Sequence, residues 1–209
     1  MEELVNSITH GIGVLLAIAG LVVLLIVAAL HGTACSVVAS VLYGSSLVLL
    51  YLISTLYHAV QGAKAKSILR ILDHSAILLL IAGTYTPITL ISLHGPWGWS
   101  LFGVIWGLAA LGIFMEISRL RRFRGLLISL YVVMGWTVVV ATKPMLENVA
   151  INDLWLLLAG GLCYTGGLVF YLWKHLPYHH AVWHLWVLAG SILHYFAILG
   201  ITLPRSSGI

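Results

Sequence analysis

Charge is scarce in this chain of 209 residues: 8% is Asp, Glu, Lys or Arg, against 61% apolar. A soluble domain carries about 25% charged residues, so a water-soluble enzyme or a nucleic-acid-binding module is excluded. Cysteine is nearly absent. Cys35 and Cys163 lie inside apolar runs, form no disulfide framework, match no metal spacing and read as packing residues. The alternation of polar and apolar residues that marks a membrane β-barrel is missing, and so is any internal repeat. No long polar stretch exists to build an extramembrane domain. A spanning helix takes about 20 apolar residues and a short connection about 8 more, so the length holds roughly seven spans.

What is present is a series of apolar runs over residues 8–30, 35–57, 74–93, 98–117, 125–142, 154–173 and 181–203. They define an all-α membrane protein whose single domain, residues 1–209, is made of seven transmembrane helices. The first run is not a cleavable signal peptide: Glu2 and Glu3 precede it, and it is too long for an h-region. Pro87, within Gly-Thr-Tyr-Thr-Pro, is expected to end or kink the third span. Gly103 and Gly107 form a GxxxG, and Gly13 with Ala17 a small-xxx-small pair. Both read as packing faces between neighbouring spans; a homodimer face is the second reading, and a homo-oligomer stays open. Trp97, Trp99, Trp155 and Trp173 suit an interfacial belt.

The net charge of +4 comes from ten Lys and Arg against six Asp and Glu. Lys64, Lys66 and Arg70 fall in the second loop, Arg119, Arg121, Arg122 and Arg124 in the fourth, and Lys174 in the sixth. The first and third loops have none, Lys143 in the fifth is offset by Glu147 and Asp153, and Arg205 follows the last span. Even-numbered loops are therefore cytoplasmic, with the N-terminus inside and the C-terminus outside.

Ten histidines are the anomaly in so apolar a chain. Projected on this topology, Asn6 to His10, Ser54 to His58, Asp73-His74 and His179 to His184 all fall at the inner face. His31 and His94 lie in plain outer-loop settings, and His175 and His179 are ordinary interfacial histidines. His180 and His184 are four residues apart on one helix face, as are Ser54 and His58. Three imidazoles with an open fourth position make a catalytic-type Zn²⁺ site, and a carboxylate such as Asp73 could hold or deprotonate the bound water. The alternatives stay open at this point. An HxxxH in a membrane helix can simply bond headgroups, Asp73 can cap a helix N-terminus, and Asp73 with His74 can relay protons.

The motifs Asn-x-x-Thr-His-x-x-Gly (Asn6, Thr9, His10, Gly13), Ser-x-x-x-His (Ser54, His58), the Asp73-centred start of the third span, and His-x-x-x-His (His180, His184) followed by Ala-Gly-Ser-x-x-His (Ala189 to His194) resemble the bacterial hemolysin III proteins. Those belong with the progestin and adiponectin receptors and, more distantly, the alkaline ceramidases. The resemblance covers all seven spans in order, and the absence of an extended receptor-type N-terminal domain argues against a hormone receptor. It implies that His58, His180 and His184 are Zn²⁺ ligands, that Asp73 orients the metal-bound water, and that Ser54 assists beside it or on the oxyanion side. His10, His74 and His194 form a second tier of candidates. The expected place is the bacterial cytoplasmic (inner) membrane, with membrane lipids as partners and no nucleic acid. Three functions are consistent with this. One is a zinc-dependent hydrolase of lipid amides or esters that enter laterally. Another is a pore-forming or membrane-damaging hemolysin, and the last a non-catalytic regulator of membrane state with zinc as a structural clamp between the second, third and seventh spans.

Overall fold

In lipid every backbone N–H and C=O must be satisfied within the chain, which leaves helices as the available solution for continuous apolar runs. The computed structural model describes residues 1–203 and is helical in that way. Its helices are α1 (Glu2–His31), α2 (Ala34–Ala59), α3 (Ala63–Pro87), α4 (Gly95–Ile117), α5 (Arg124–Trp136), α6 (Thr142–Asn148), α7 (Ile151–Leu172) and α8 (His179–Thr202). Among the described residues seven stretches are long and apolar enough to cross a membrane, with α5 and α6 together forming the fifth. Arg205 lies outside the described residues.

Local signals explain several boundaries. Thr33 and Ser36 form a reciprocal capping box that starts α2. Glu2 and Glu3 sit in the first turn of α1, where negative charge favours the helix dipole. Pro87 ends the regular α-helix of the third span, which continues as a π-turn over Ile88–Leu93. Tyr178 turns the chain into α8 with φ 56°, the left-handed region that non-glycine residues seldom adopt.

Four expectations are corrected. The third span starts at Ala63 rather than at residue 74, because Lys64, Lys66 and Arg70 are good helix formers that extend the helix beyond the apolar run. Apolar runs mark the depth of lipid and not the length of helix. Asp73 is therefore ten residues into α3, roughly 15 Å along its axis, and neither starts the span nor caps it. The fifth span runs past Lys143 to Asn148 and is broken by a 3-10 stretch over Thr137–Ala141. Among the described residues Gly103 and Gly107 pack against no neighbour: a Cβ at either meets nothing within 4 Å. Cys35 is likewise exposed rather than a packing residue.

The core runs through α1, α2, α3, α4 and α8, with Leu24, Tyr43, Tyr51, Leu78, Ile105 and Ile198 fully buried. Gly13 lets α1 approach α2 as the small-residue pair implied, since a Cβ there would strike the Tyr51 ring. The closest seams are α1 with α2, α7 with α8, and α2 with α3, whereas α5 touches α7 little. Trp136 Nε1 donates to Thr165 Oγ1 across that thin seam, 3.0 Å apart. Tyr85 on α3 serves the break in the fifth span: its hydroxyl accepts from the Val138 N–H (2.8 Å) and donates to the Gly135 carbonyl (3.0 Å). Trp97, Trp99, Trp155 and Trp173 are all exposed, as an interfacial belt requires.

Candidate metal centre

The C-terminal turn of α2 and the N-terminal turns of α8 reach the same end of the bundle. They bring His58, His180 and His184 together, each offering one ring nitrogen within 4.8 Å of the others. His58 and His184 are buried and His180 half-buried. Ring centroids are 5.0 Å apart for His58 with His180, 5.0 Å for His58 with His184 and 4.6 Å for His180 with His184. These three residues can hold a metal ion.

Hydrogen bonds on the far side of the rings set the tautomers. His58 Nδ1–H donates to Glu3 Oε2 at 2.7 Å, and Lys66 Nζ donates to the other carboxylate oxygen at 2.9 Å. The lone pair of His58 is thereby placed on Nε2, a buried atom with no hydrogen-bond partner. A buried nitrogen left unpaired costs free energy, and a cation at the centre would relieve it. The Thr9 hydroxyl donates to the Val5 and Asn6 carbonyls, so its oxygen accepts from His184 Nδ1–H at 3.3 Å. His184 too is left with its lone pair on Nε2. A carboxylate or hydroxyl behind a ligating histidine is the usual means of fixing ring orientation and raising ligand basicity.

Asp73 and Ser54 stand beside the three histidines and not among them. The Ser54 and Asp73 side chains are neighbours, and both line the cavity that the histidines face. His10 is stacked on His184, with ring centroids 3.5 Å apart and planes 15° from parallel. It presents its face to the His184 ring, and among the described residues both its buried nitrogens have no hydrogen-bond partner. His74 is turned elsewhere, its Nδ1 lying 3.2 Å from Glu116 Oε1 and 2.8 Å from the Arg124 guanidinium. His194 lies ten residues beyond His184 on α8, roughly 15 Å away along the axis, and donates from Nε2 to the Leu157 carbonyl at 3.0 Å. A single ion would tie α2 to α8, which otherwise touch little. It would not clamp α3 as well, because the three nitrogens come from two helices only.

Two residues were missed in the sequence. Glu3 looks like a flanking charge, but it lies two turns before His10 on the same face of α1, and its carboxylate reaches His58. Glu116 is 1% exposed on α4 and gathers His74, Arg124 and the Tyr131 hydroxyl around its carboxylate. A lone ionisable residue inside an apolar span is a functional candidate by default, and that rule would have found it.

The centre opens into a cavity of about 780 Å³, well within the range of small-molecule sites. From His180 through Val187 to His194 on α8, its wall extends roughly 21 Å into the bundle. Leu50, Ile77 and Leu80 line it as well as the polar groups.

A multi-pass membrane protein with seven helices and three histidines converging at one end is the class that fold and site define. The family model described as haemolysin-III related matches residues 1–195, and the chain belongs to that family. It is 51% identical to Hemolysin-3 of Bacillus cereus over 206 residues, 99% of this chain and 94% of the relative. It is 48% identical to the Hemolysin-3 homolog of Bacillus subtilis (strain 168) over 198 residues, 95% of this chain and 93% of the relative. A more distant likeness, 28% over 163 residues, covers 75% of this chain and 67% of the human monocyte to macrophage differentiation factor. The protein is an integral, multi-pass protein of the bacterial cytoplasmic (inner) membrane.

Proposed function

We propose that this protein is a zinc-dependent hydrolase that cleaves an amide or ester bond of a membrane lipid at the cytoplasmic face. The observation that carries the reading is the junction of three imidazoles and a carboxylate with a deep, largely apolar cavity. Such a cavity accepts an acyl chain and leaves its polar linkage beside the histidines. Zinc suits an all-nitrogen set of three ligands with a fourth position open, and when bound it supplies Lewis acidity and a water that ionises near neutral pH.

The chain's own residues divide the remaining work. His58, His180 and His184 hold the ion, and Glu3 and Thr9 hold two of those rings in orientation. Asp73 takes the proton of the attacking water as general base, and the Ser54 hydroxyl keeps the carboxylate turned toward the cavity. The apolar walls exclude bulk water and align the lipid, so that its carbonyl is presented in one pose. Release of fatty acid from amide- and ester-linked lipids in mixed micelles tests this. Turnover should vanish with a chelator and in Asp73→Asn; equal turnover in wild type and Asp73→Asn would overturn the role of the carboxylate, and none in zinc-loaded wild type the hydrolase reading.

A second reading has one observation in its favour. An ion bridging α2 and α8 would join helices that otherwise have little contact, as a structural zinc does. Metal-dependent stability without turnover of any lipid distinguishes it. The pore-forming alternative gains nothing from the exterior of the bundle, which exposes Leu15, Val23, Phe114, Val133 and Val169 to lipid.

A further inference from the structure

Five of the chain's ten basic residues converge on one cleft at the cytoplasmic end of α4. Arg119, Arg121 and Arg122 come from the 3-10 turn that follows α4, Arg124 from the start of α5, and Arg70 from α3. They line an open cleft of about 560 Å³. Topology alone asks for positive charge in this loop, but it does not ask that side chains from three separate elements face one another. Mutual repulsion opposes that arrangement. Among the described residues the only ion pair that any of them makes is that of Arg124 with Glu116, at 3.8 Å; Asp73, one turn from Arg70 on α3, lines the large cavity.

The cleft is built as well as charged. Ser118 accepts from the Leu120 N–H and so caps the 3-10 turn. Arg122 stacks on the Phe123 ring, 4.7 Å from its centroid, and buried Glu116 with His74 pins Arg124. Around it Ile117, Leu120, Phe123 and Leu126 expose 63%, 39%, 45% and 57% of their surface. A cationic pocket rimmed by lipid-facing apolar side chains matches a molecule with an anionic head and a hydrocarbon body. A guanidinium fork matches phosphate oxygens in pairs.

We propose that the arginine cleft binds the headgroup phosphate of an anionic phospholipid of the cytoplasmic leaflet. The apolar rim favours a lipid over free phosphate. Arg70 and Arg124 also line the large cavity, so a lipid held there lies against the cavity's entrance. The proposal concerns binding and stands whether or not the histidine centre turns over.

The test is native mass spectrometry of the full chain released from nanodiscs, supported by titration with short-chain phosphatidylglycerol, phosphatidylcholine and inorganic phosphate. Wild type is expected to retain phosphatidylglycerol over phosphatidylcholine. Arg119→Gln, Arg121→Gln and Arg122→Gln together should weaken phosphatidylglycerol roughly a hundredfold, at about fivefold per arginine. Because these charges also set topology, the companion variant carries Lys at the same three positions. It keeps charge and orientation, loses the paired contacts, and should bind clearly more weakly than wild type. Full retention by either triple variant, or equal retention of the two lipids by wild type, overturns the site. Displacement of phosphatidylglycerol by millimolar inorganic phosphate would make the ligand free phosphate and overturn the lipid assignment.

Discussion

Replacing Glu3 by Ala removes the acceptor behind His58 without touching any nitrogen of the candidate centre. The bond is short, 2.7 Å, but Glu3 is 56% exposed while the His58 side chain is only 4% exposed. Carboxylates behind ligating histidines contribute 10- to 100-fold in metal affinity. Solvent screening of this one places it at the lower end, about tenfold or roughly 1.4 kcal/mol. Glu3→Gln keeps an amide oxygen for Nδ1–H and loses only the charge, so its effect should be intermediate. Lys66→Ala should matter less than either, since Lys66 only steadies the second carboxylate oxygen, at 2.9 Å. Zinc affinity is measured on detergent-purified protein by competition with a chromophoric chelator, with His31→Ala, at the far end of α1, as the control. Wild-type affinity in Glu3→Ala, or a larger loss in Lys66→Ala, would refute the view that this carboxylate orients the ligand.

His58→Ala, His180→Ala and His184→Ala should each remove bound zinc and lower the thermal midpoint, because metal binding is coupled to the folded arrangement; full zinc occupancy in any of them ends that assignment. Asp73→Asn should keep the metal while losing hydrolysis, and loss of zinc there would promote Asp73 to a ligand. Gly13→Ala forces a Cβ into the Tyr51 ring and should cost about 1–3 kcal/mol by overpacking, whereas Gly103→Ala, which meets nothing, should leave thermal unfolding unchanged. A reporter fused after Ile209 should read outside and one near Lys64 inside, and the reverse result would put the histidine centre on the outer face.

The seven spans were legible because the bilayer reads one coarse quantity, apolar length. His58, His180 and His184 were legible as well, through helical spacing and family motifs, and the fold brings them together. Asp73 was placed less well. Hydropathy cannot see that α3 starts ten residues before it, since Lys64, Lys66 and Arg70 are good helix formers outside the hydrocarbon. The tautomers of His58 and His184 were beyond reach, because their partners Glu3 and Thr9 lie 55 and 175 residues away in the chain. Gly103 and Gly107 were misleading for a related reason: a GxxxG gives a smooth face but does not say whether that face turns inward.

Tyr85 has a bearing on how the chain enters the membrane. Most spans close their own backbone bonds and are self-sufficient in lipid. The fifth is not, because its 3-10 break hands the Gly135 carbonyl and the Val138 N–H to a side chain on α3. Alone in hydrocarbon it would strand both groups or straighten into a different helix. The fifth span is therefore a dependent segment that takes its native shape only beside a resident third. Synthesis from the N-terminus supplies that order, and a circular permutant that delivered residues 124–148 before residues 63–87 would reverse it.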